Sequence, residues 1–491
     1  MDEDVSSFFK EDMTDEKPDE TVATTGNSSA ENRVTTDMLS GNKPEAKSTP
    51  EEKDTFESDY EQQQIKQVRK RYKKLNGAFT GKEFLDRIGY GFAAPQFITI
   101  LFFLTGASPL LVGVVNGFRD LLGGLYSSFL QEFSQVKTFS KRFISSAGIL
   151  FGFSLIGVVL AIRTSSVWIY AGALLIGSFG IVAYGEMHHR VLDASLRHER
   201  RSRFLKSITH YGLLITAATF FISGYLLERF GMGGSTIEVF GTIIPISGYF
   251  ISFEIAAVAF ILSGFILSNT PLKEEKKTYH TGKFVKEYFS NGFKEIGRFL
   301  KNKYLFFLFL GALLLGVVES LGASFYGYHI FTVFQDQYFG GFLNIAIIFV
   351  IALLASTIGP AFTRYLKRHT GLAPMFVFGT LLMALLPLIL VYNPHFYAVI
   401  VATSCAIIGS SILGVAQGLL AQKLLPRSER ASFFNSLGIV IALPFIILVP
   451  AGAYLASIDF LLLFKIIALT LLGLVAPLYF TLVLVSHKQR L

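Results

Sequence analysis

Cysteine is almost missing from this chain. Cys405 is the single cysteine among 491 residues, so disulfides and thiolate metal sites cannot be built within it. Charge is also scarce: Asp, Glu, Lys and Arg make up 16% of the chain, against about 25% in an ordinary soluble domain. So few charges could not coat a soluble protein of this length. No Gly-rich loop ending in Gly-Lys-Ser or Gly-Lys-Thr occurs to cradle a nucleotide's phosphates, which removes ATP hydrolysis from the options. The amino end is acidic and lacks a cleavable apolar stretch, so no secretory signal is expected there. The sequon Asn27-Ser28-Ser29 is then expected to stay cytosolic and unmodified.

What the chain does have is apolar material. Hydrophobic residues supply 51% of it, and Phe alone occurs 49 times. The apolar residues come in runs of roughly 20, which at about 1.5 Å per helical residue match a hydrocarbon core of about 30 Å. This pattern describes a polytopic, all-α membrane protein, and twelve spans are expected between residues 84 and 484. The first 64 residues are of another kind, with 18 of the 36 acidic residues and 6 of the 44 basic ones. Such a segment buries too little apolar surface to offset its ordering entropy and is expected to be disordered. From Ile65 onward 38 basic residues face 18 acidic ones.

The basic residues are unevenly placed. With the amino end in the cytoplasm, the five inner loops carry 24 of them, including Arg190, Arg201, Lys286, Arg364 and Arg427, whereas the outer loops offer Arg163 and Arg229. A bias of this size predicts that both termini are cytoplasmic. The run KQVRKRYKK at 66–74 reads as a juxtamembrane segment drawn to anionic lipid rather than as a nucleic-acid patch. The expected organisation is a tail over 1–83, a six-helix bundle over 84–269, a basic linker over 270–303, a second six-helix bundle over 304–485 and a short tail over 486–491. Within the linker Phe284, Tyr288, Phe289, Phe293 and Ile296 recur at helical spacing among lysines, which suits a helix lying on the inner membrane surface.

Two short stretches echo one another. RSRFLKSITHYG at 201–212 and RSERASFFNSLG at 427–438 each open on Arg-Ser and close on Gly just inside an apolar run. Both lead into the fifth expected helix of a half, as two related bundles would require. GPAFTRYLKRHTG at 359–371 is the best local match to a known signature. It resembles the loop after the second helix of a half in the major facilitator superfamily, where Gly359, Arg364, Lys367 and Arg368 fall in place as a cytoplasmic gate. Thr363 replaces the usual acid and Leu366 the second Gly, a departure that bears on the charge lock this loop supplies. The first-half counterpart, SSFLQEFSQVKTFSKRF, is more degenerate, with Glu132 in the place of the acid.

This resemblance implies a secondary active transporter working by alternating access, with a small-molecule substrate, a proton as coupling ion and no cofactor. It also implies no enzymatic activity, a monomer, and a place in the cell membrane. The expected fourth helix lacks the Arg that many proton-coupled members of the family carry there, and the fifth lacks the Gly-Pro pair seen in its proton-driven drug exporters. A non-transporting sensor or scaffold that uses its acidic tail to bind partners is the alternative.

Charges inside apolar spans cost about 2.5 to 3.5 kcal/mol at the bilayer centre on insertion scales, so they are the residues expected to carry function. Arg119, Asp120, Glu254, Glu319 and Lys465 stand out. In the family scheme helices 1, 4, 7 and 10 line the central cavity. Glu319 is therefore expected to face substrate and to load and release a proton, with Tyr326 two turns along the same face. Arg119 is expected to anchor a substrate, which could then be anionic, or else to pair with a neighbouring acid. Asp120 points about 100° away from it around the helix, a poor arrangement for mutual neutralisation. Gln96 and Asn116 are further candidates, with plain interhelical bridging as the rival role. Glu186, His189 and Asp193 are spaced as metal ligands would be on one helical face, but the surrounding arginines disfavour a cation there.

Deleting residues 1–64 should leave membrane insertion and solute flux largely intact, because no apolar face in them could dock. Expression and uptake of the truncated chain test this, and loss of either would contradict it.

Overall fold

The computed structural model describes residues 75–136, 141–195, 198–231, 235–239, 242–270 and 281–488. The acidic tail, the run KQVRKRYKK and the beginning of the linker lie outside these residues. Helices dominate, as a chain with apolar flanks requires: a backbone polar group in hydrocarbon must be satisfied within its own helix.

The first span is α1, residues 75–92, followed by α2 (Pro95–Leu104). Then come α3 (Pro109–Val136), α4 (Lys141–Arg163), α5 (Val167–Ser195), α6 (His198–Phe230) and α7 (Gly248–Asn269). The linker helix α8 (Thr281–Lys301) precedes α9 (Lys303–Phe334), α10 (Gly341–Ala355), α11 (Ile358–His369), α12 (Leu372–Tyr392), α13 (Phe396–Leu424) and α14 (Arg427–Ile458). The last span is α15 (Phe460–Leu469), a π-helical turn (Thr470–Val475) and α16 (Ala476–Lys488). Among the described residues ten helices are long and apolar enough to cross a membrane, or eleven if α10 and α11, bent by 41°, form one span. The segment outside that number is α3, whose 28 residues include Arg119 and Asp120.

Three features differ from the sequence-based expectation. First, helix is already formed at residue 75, not 84, and the first span is broken at Ala93 and Ala94. Pro95 is the cause: it disfavours helical geometry at the residue before it, and Ala94 is extended with ψ 138°. The carbonyl of Phe92 freed by the break accepts a hydrogen bond from Ser223 Oγ of α6 at 3.1 Å. Second, the chain is not wholly α-helical. Between α6 and α7, β1 (Ser235–Val239) pairs antiparallel with β2 (Thr242–Ile246), with Ile237 opposite Ile244. Seven of these ten residues are Thr, Ile or Val, the β-branched types that suit a pleated strand. Third, the apolar side of α8 packs on protein. Phe284, Tyr288 and Ile296 form a buried cluster with Phe133 of α3 and Ile439 of α14, and Arg298 pairs with Glu429. Burial, with help from the nearby Glu132 carboxylate, pushes the Tyr288 hydroxyl above the usual phenol range. Phe289 is left exposed, and the side chain of Phe293 lies outside the described residues.

Each half repeats one packing plan. In the first, α4 packs between α5 and α7; in the second, α12 packs against α13 and the final span. The halves meet along α3 with α14 and along α6 with α10. Close approach needs small residues, since lipid offers no hydrophobic drive for helix association. Gly113, Gly117 and Gly124 supply them on α3, where added methyl groups would lie 2.1 Å from Ala453 Cβ, 3.1 Å from the Phe445 carbonyl and 3.2 Å from Ala442 Cβ. Gly224 does the same on α6, where a methyl would lie 2.4 Å from Ala346 Cβ.

Gly113→Ala should therefore lower the thermal midpoint of the purified protein, since overpacking costs about 1 to 3 kcal/mol. Gly123→Ala on the same helix, where nothing lies within 4 Å, should leave the midpoint level or raise it, because Ala favours helix. Equal effects of the two substitutions would refute the close-packed seam.

Candidate functional site

Between the halves lies a cavity of about 200 Å³. The second half supplies most of its wall: Glu319, Gly322 and Tyr326 from α9, Phe349 from α10, Met383 and Leu386 from α12, Thr403, Ile407 and Ser410 from α13, and Leu471 from the π-helical turn. The first half contributes Gln96, in the first turn after the helix break. A broken span and a π-helical turn thus both border the cavity, and departures from regular helix of these kinds gather at binding sites.

Glu319, Tyr326 and Gln96 are thus brought together, as the sequence pattern expects. Glu319 opens onto the cavity and one of its carboxylate oxygens, Oε1, accepts a hydrogen bond from Ser410 Oγ at 2.6 Å. Tyr326 is braced from behind by Phe464, ring centroids 5.2 Å apart. Toward the end away from α8, aromatic contacts close the space. Phe103 of α2 stacks on Tyr328 of α9 at 3.9 Å, and Phe97 packs against both Phe220 and Phe342. There Glu228 of α6 accepts the Phe342 backbone N–H at 2.8 Å, at the N-terminus of α10 where a negative charge is favoured.

Asn116 and Arg119 lie apart from the cavity. Asn116 is buried and donates to Ser324 Oγ at 2.9 Å. Arg119 Nε is 3.5 Å from Asp120 Oδ1, contrary to the expectation that these neighbours are poorly placed to neutralise each other. The flexible guanidinium arm reaches around the helix, so the 100° between their Cβ directions does not decide the matter. Asp120 also accepts from Ser320 Oγ. Glu254 is half-buried on α7 and Lys465 is exposed on α15; neither lines the cavity.

The residues read as a gate loop form a helix instead. Gly359, Arg364, Lys367 and Arg368 all belong to α11, which ends at His369; Gly371, with φ 78°, turns the chain into α12. Gly359 is buried, and a methyl there would lie 3.1 Å from Ser411 Oγ of α13. Thr363, at the position of the missing acid, is buried and donates to the Gly359 carbonyl at 2.7 Å. Arg364, Lys367 and Arg368 point outward. Of the candidate metal ligands, Glu186 accepts from Ser127 at 2.5 Å and from Gln131 at 2.9 Å, while the side chains of His189 and Asp193 lie outside the described residues. No group of three metal-ligating side chains occurs among the described residues.

One cluster escaped the sequence reading. Lys82, Glu83, Asp86 and Arg87 occupy successive turns of α1, and Lys82 is 1% exposed. Its ammonium group pairs with Asp86, lies 3.7 Å from Glu83 and sits 4.4 Å over the ring of Tyr184. Ser263 of α7 donates to Asp86 at 2.5 Å, and Glu83 meets His188 of α5 at 2.6 Å. The signal was present as GKEFLDR, with opposite charges four apart. Starting the helix at 84 placed half of it outside the span.

No protein-family model matches the chain, and no curated protein matches it in sequence. Solved structures do match in shape. The nucleoside transporter NupG aligns over 84% of this chain and 99% of its own length at 14% identity, TM-score 0.63. A bacterial homologue of the iron transporter ferroportin in an inward-facing state aligns over 83% and 98% at 17% identity, TM-score 0.60. A POT family transporter in complex with a thioalcohol-conjugated peptide aligns over 84% and 96% at 16% identity, TM-score 0.55.

Asp86→Leu should strand the buried ammonium of Lys82 and destabilise the protein by about 3 to 5 kcal/mol, whereas Asp86→Leu with Lys82→Met should recover most of the loss. Thermal midpoints of the two variants check this; a double variant as unstable as the single one would show that the pair is not the unit. With its helices paired across two repeated bundles and its shape shared along nearly the full length of these transporters, the chain has the fold of the major facilitator superfamily.

Proposed function

We propose that the chain is a secondary active transporter that carries a small solute across the membrane by rocking of its two halves, coupled to protons through Glu319. The observation that carries this reading is the cavity itself: a single carboxylate, with Ser410 on one oxygen, opens onto a small chamber between two pseudo-symmetric bundles. In this reading α3 is a span despite its charges, because Arg119, Asp120 and Asn116 are each engaged within the helix bundle. That gives twelve spans with both termini cytoplasmic, in keeping with the charge bias of the loops. The exposed Lys286, Lys294 and Lys301 on α8 suit contact with anionic lipid at the inner face of the cell membrane. The nucleoside, metal and peptide transporters that share the shape support transport as the activity; at their low identities they leave the solute open. Proton and solute moving together, as symport, fits one carboxylate that is neutral when loaded.

Proteoliposomes test the coupling. Wild-type protein should concentrate solute in response to a pH gradient. Glu319→Gln, which mimics the protonated carboxyl and cannot cycle, should lose that accumulation, yet still exchange labelled for unlabelled solute, which needs no net proton movement. A Glu319→Gln protein that concentrates solute as wild type does would remove Glu319 from the coupling step.

A further inference from the structure

Arg119, the basic side chain that the sequence offered to the solute, is engaged elsewhere, and so is the buried Lys82 of α1. Arg119 lies against Asp120, and Lys82 is sealed inside the first bundle by Asp86 and Tyr184. Among the described residues that line the cavity, Glu319 is the only acidic or basic side chain. The other polar groups are neutral: the Gln96 amide and the hydroxyls of Tyr326, Thr403 and Ser410. Gly322, Ala323, Gly327, Leu386 and Leu471 leave much of the remaining wall apolar.

We infer that the solute is uncharged in this cavity: a compact molecule that presents hydrogen-bonding groups to Gln96, Thr403 and Ser410 and an apolar or ring face to Tyr326 and Phe349. This rests on the reading of Glu319 as the proton carrier. A cavity of about 200 Å³ suits a compact solute.

The argument is one of charge balance. An anion would enter a chamber that offers it no cation. It would be repelled while Glu319 is ionised, and left without a counter-charge once Glu319 is protonated; either way a buried charge stays unpaired, at a cost of several kcal/mol. A cation would find a partner in the carboxylate, but only by holding Glu319 ionised. Cation and proton would then exclude each other, and the protein would exchange them instead of carrying solute and proton together. A neutral solute avoids both conflicts. Proton and solute load side by side, and the occupied chamber holds no net charge while the halves move across it. The anionic substrate suggested by Arg119 in the sequence is therefore replaced by a neutral one.

Two size-matched triplets decide the matter: benzamide, benzoate and benzylamine, and propionamide, propionate and propylamine, supplemented by uracil as a neutral ring. Binding of each to the full-length protein in detergent is ranked by thermal shift. Neutral members should bind wild type about tenfold or more tightly than their charged counterparts, a difference of about 1.4 kcal/mol. A preference for the amines that disappears in Glu319→Gln, a preference for the carboxylates, or the absence of any neutral ligand would each overturn the proposal. Should Glu319→Gln fail to fold, the wild-type ranking alone decides. The coupling reading fails separately: a neutral ligand that binds and exchanges, but is not concentrated by a pH gradient, would refute proton coupling while leaving the substrate class in place.

Discussion

The close seam between α3 and α14 sets the geometry of everything at the centre of this protein. Helices in lipid gain nothing from hiding apolar surface, so their association rests on close contact and on hydrogen bonds between them. Gly113, Gly117 and Gly124 bring α14 near enough for its backbone to touch α3. From the same helix, Asn116 and Asp120 reach across to Ser324 and Ser320 of α9. Those two serines are four residues apart and lie on one face. Once that face is fixed against α3, the rotation of α9 is fixed too. Glu319, Gly322 and Tyr326, on a different arc of the helix, are then turned into the cavity. Charged and polar residues of α3 thus act on the site through position, without touching its contents.

The second seam, between α6 and α10, is the first one under exchange of the halves. α3 and α14 form one pair and α6 and α10 the other. Each seam relies on small residues, Gly113 against Ala453 in one and Gly224 against Ala346 in the other. The second also has a polar tie, the Glu228 carboxylate to the Phe342 backbone, whereas the Asp120 carboxylate of α3 is tied to Ser320 of α9. The linker helix α8 adds a further constraint at its end of the molecule, because it packs on α3 of the first half and α14 of the second.

Much of this could be read from the chain. Apolar runs marked the helices that are long enough to span a membrane, and the echo between 201–212 and 427–438 falls near the starts of α6 and α14. Glu319 and Tyr326 were visible because a carboxylate in an apolar helix is expensive and seven residues make two turns. Other features depended on information outside their own segment. Whether Arg119 faced a solute or Asp120 was a matter of side-chain reach, which helical spacing does not resolve. The break at Pro95 was legible from proline chemistry but hidden by an unbroken apolar run. The face of α8 was correctly amphipathic, yet amphipathicity alone does not say whether lipid or protein covers it; Phe133 and Ile439 do.

The buried cluster on α1 and the lone carboxylate on α9 show the same electrostatic rule with opposite results. Lys82 sits among Asp86, Glu83, Tyr184 and Ser263 in a network that satisfies its charge within one bundle. Removing one partner would leave the rest costly, so such a network resists change and holds its helices in a single arrangement. Glu319 has one hydroxyl partner and an opening. Its charge has no built-in counterpart among the cavity walls, so its state depends on what enters. The first bundle is thus built around a buried ion pair, and the interface between the bundles around a carboxylate with a single hydroxyl partner.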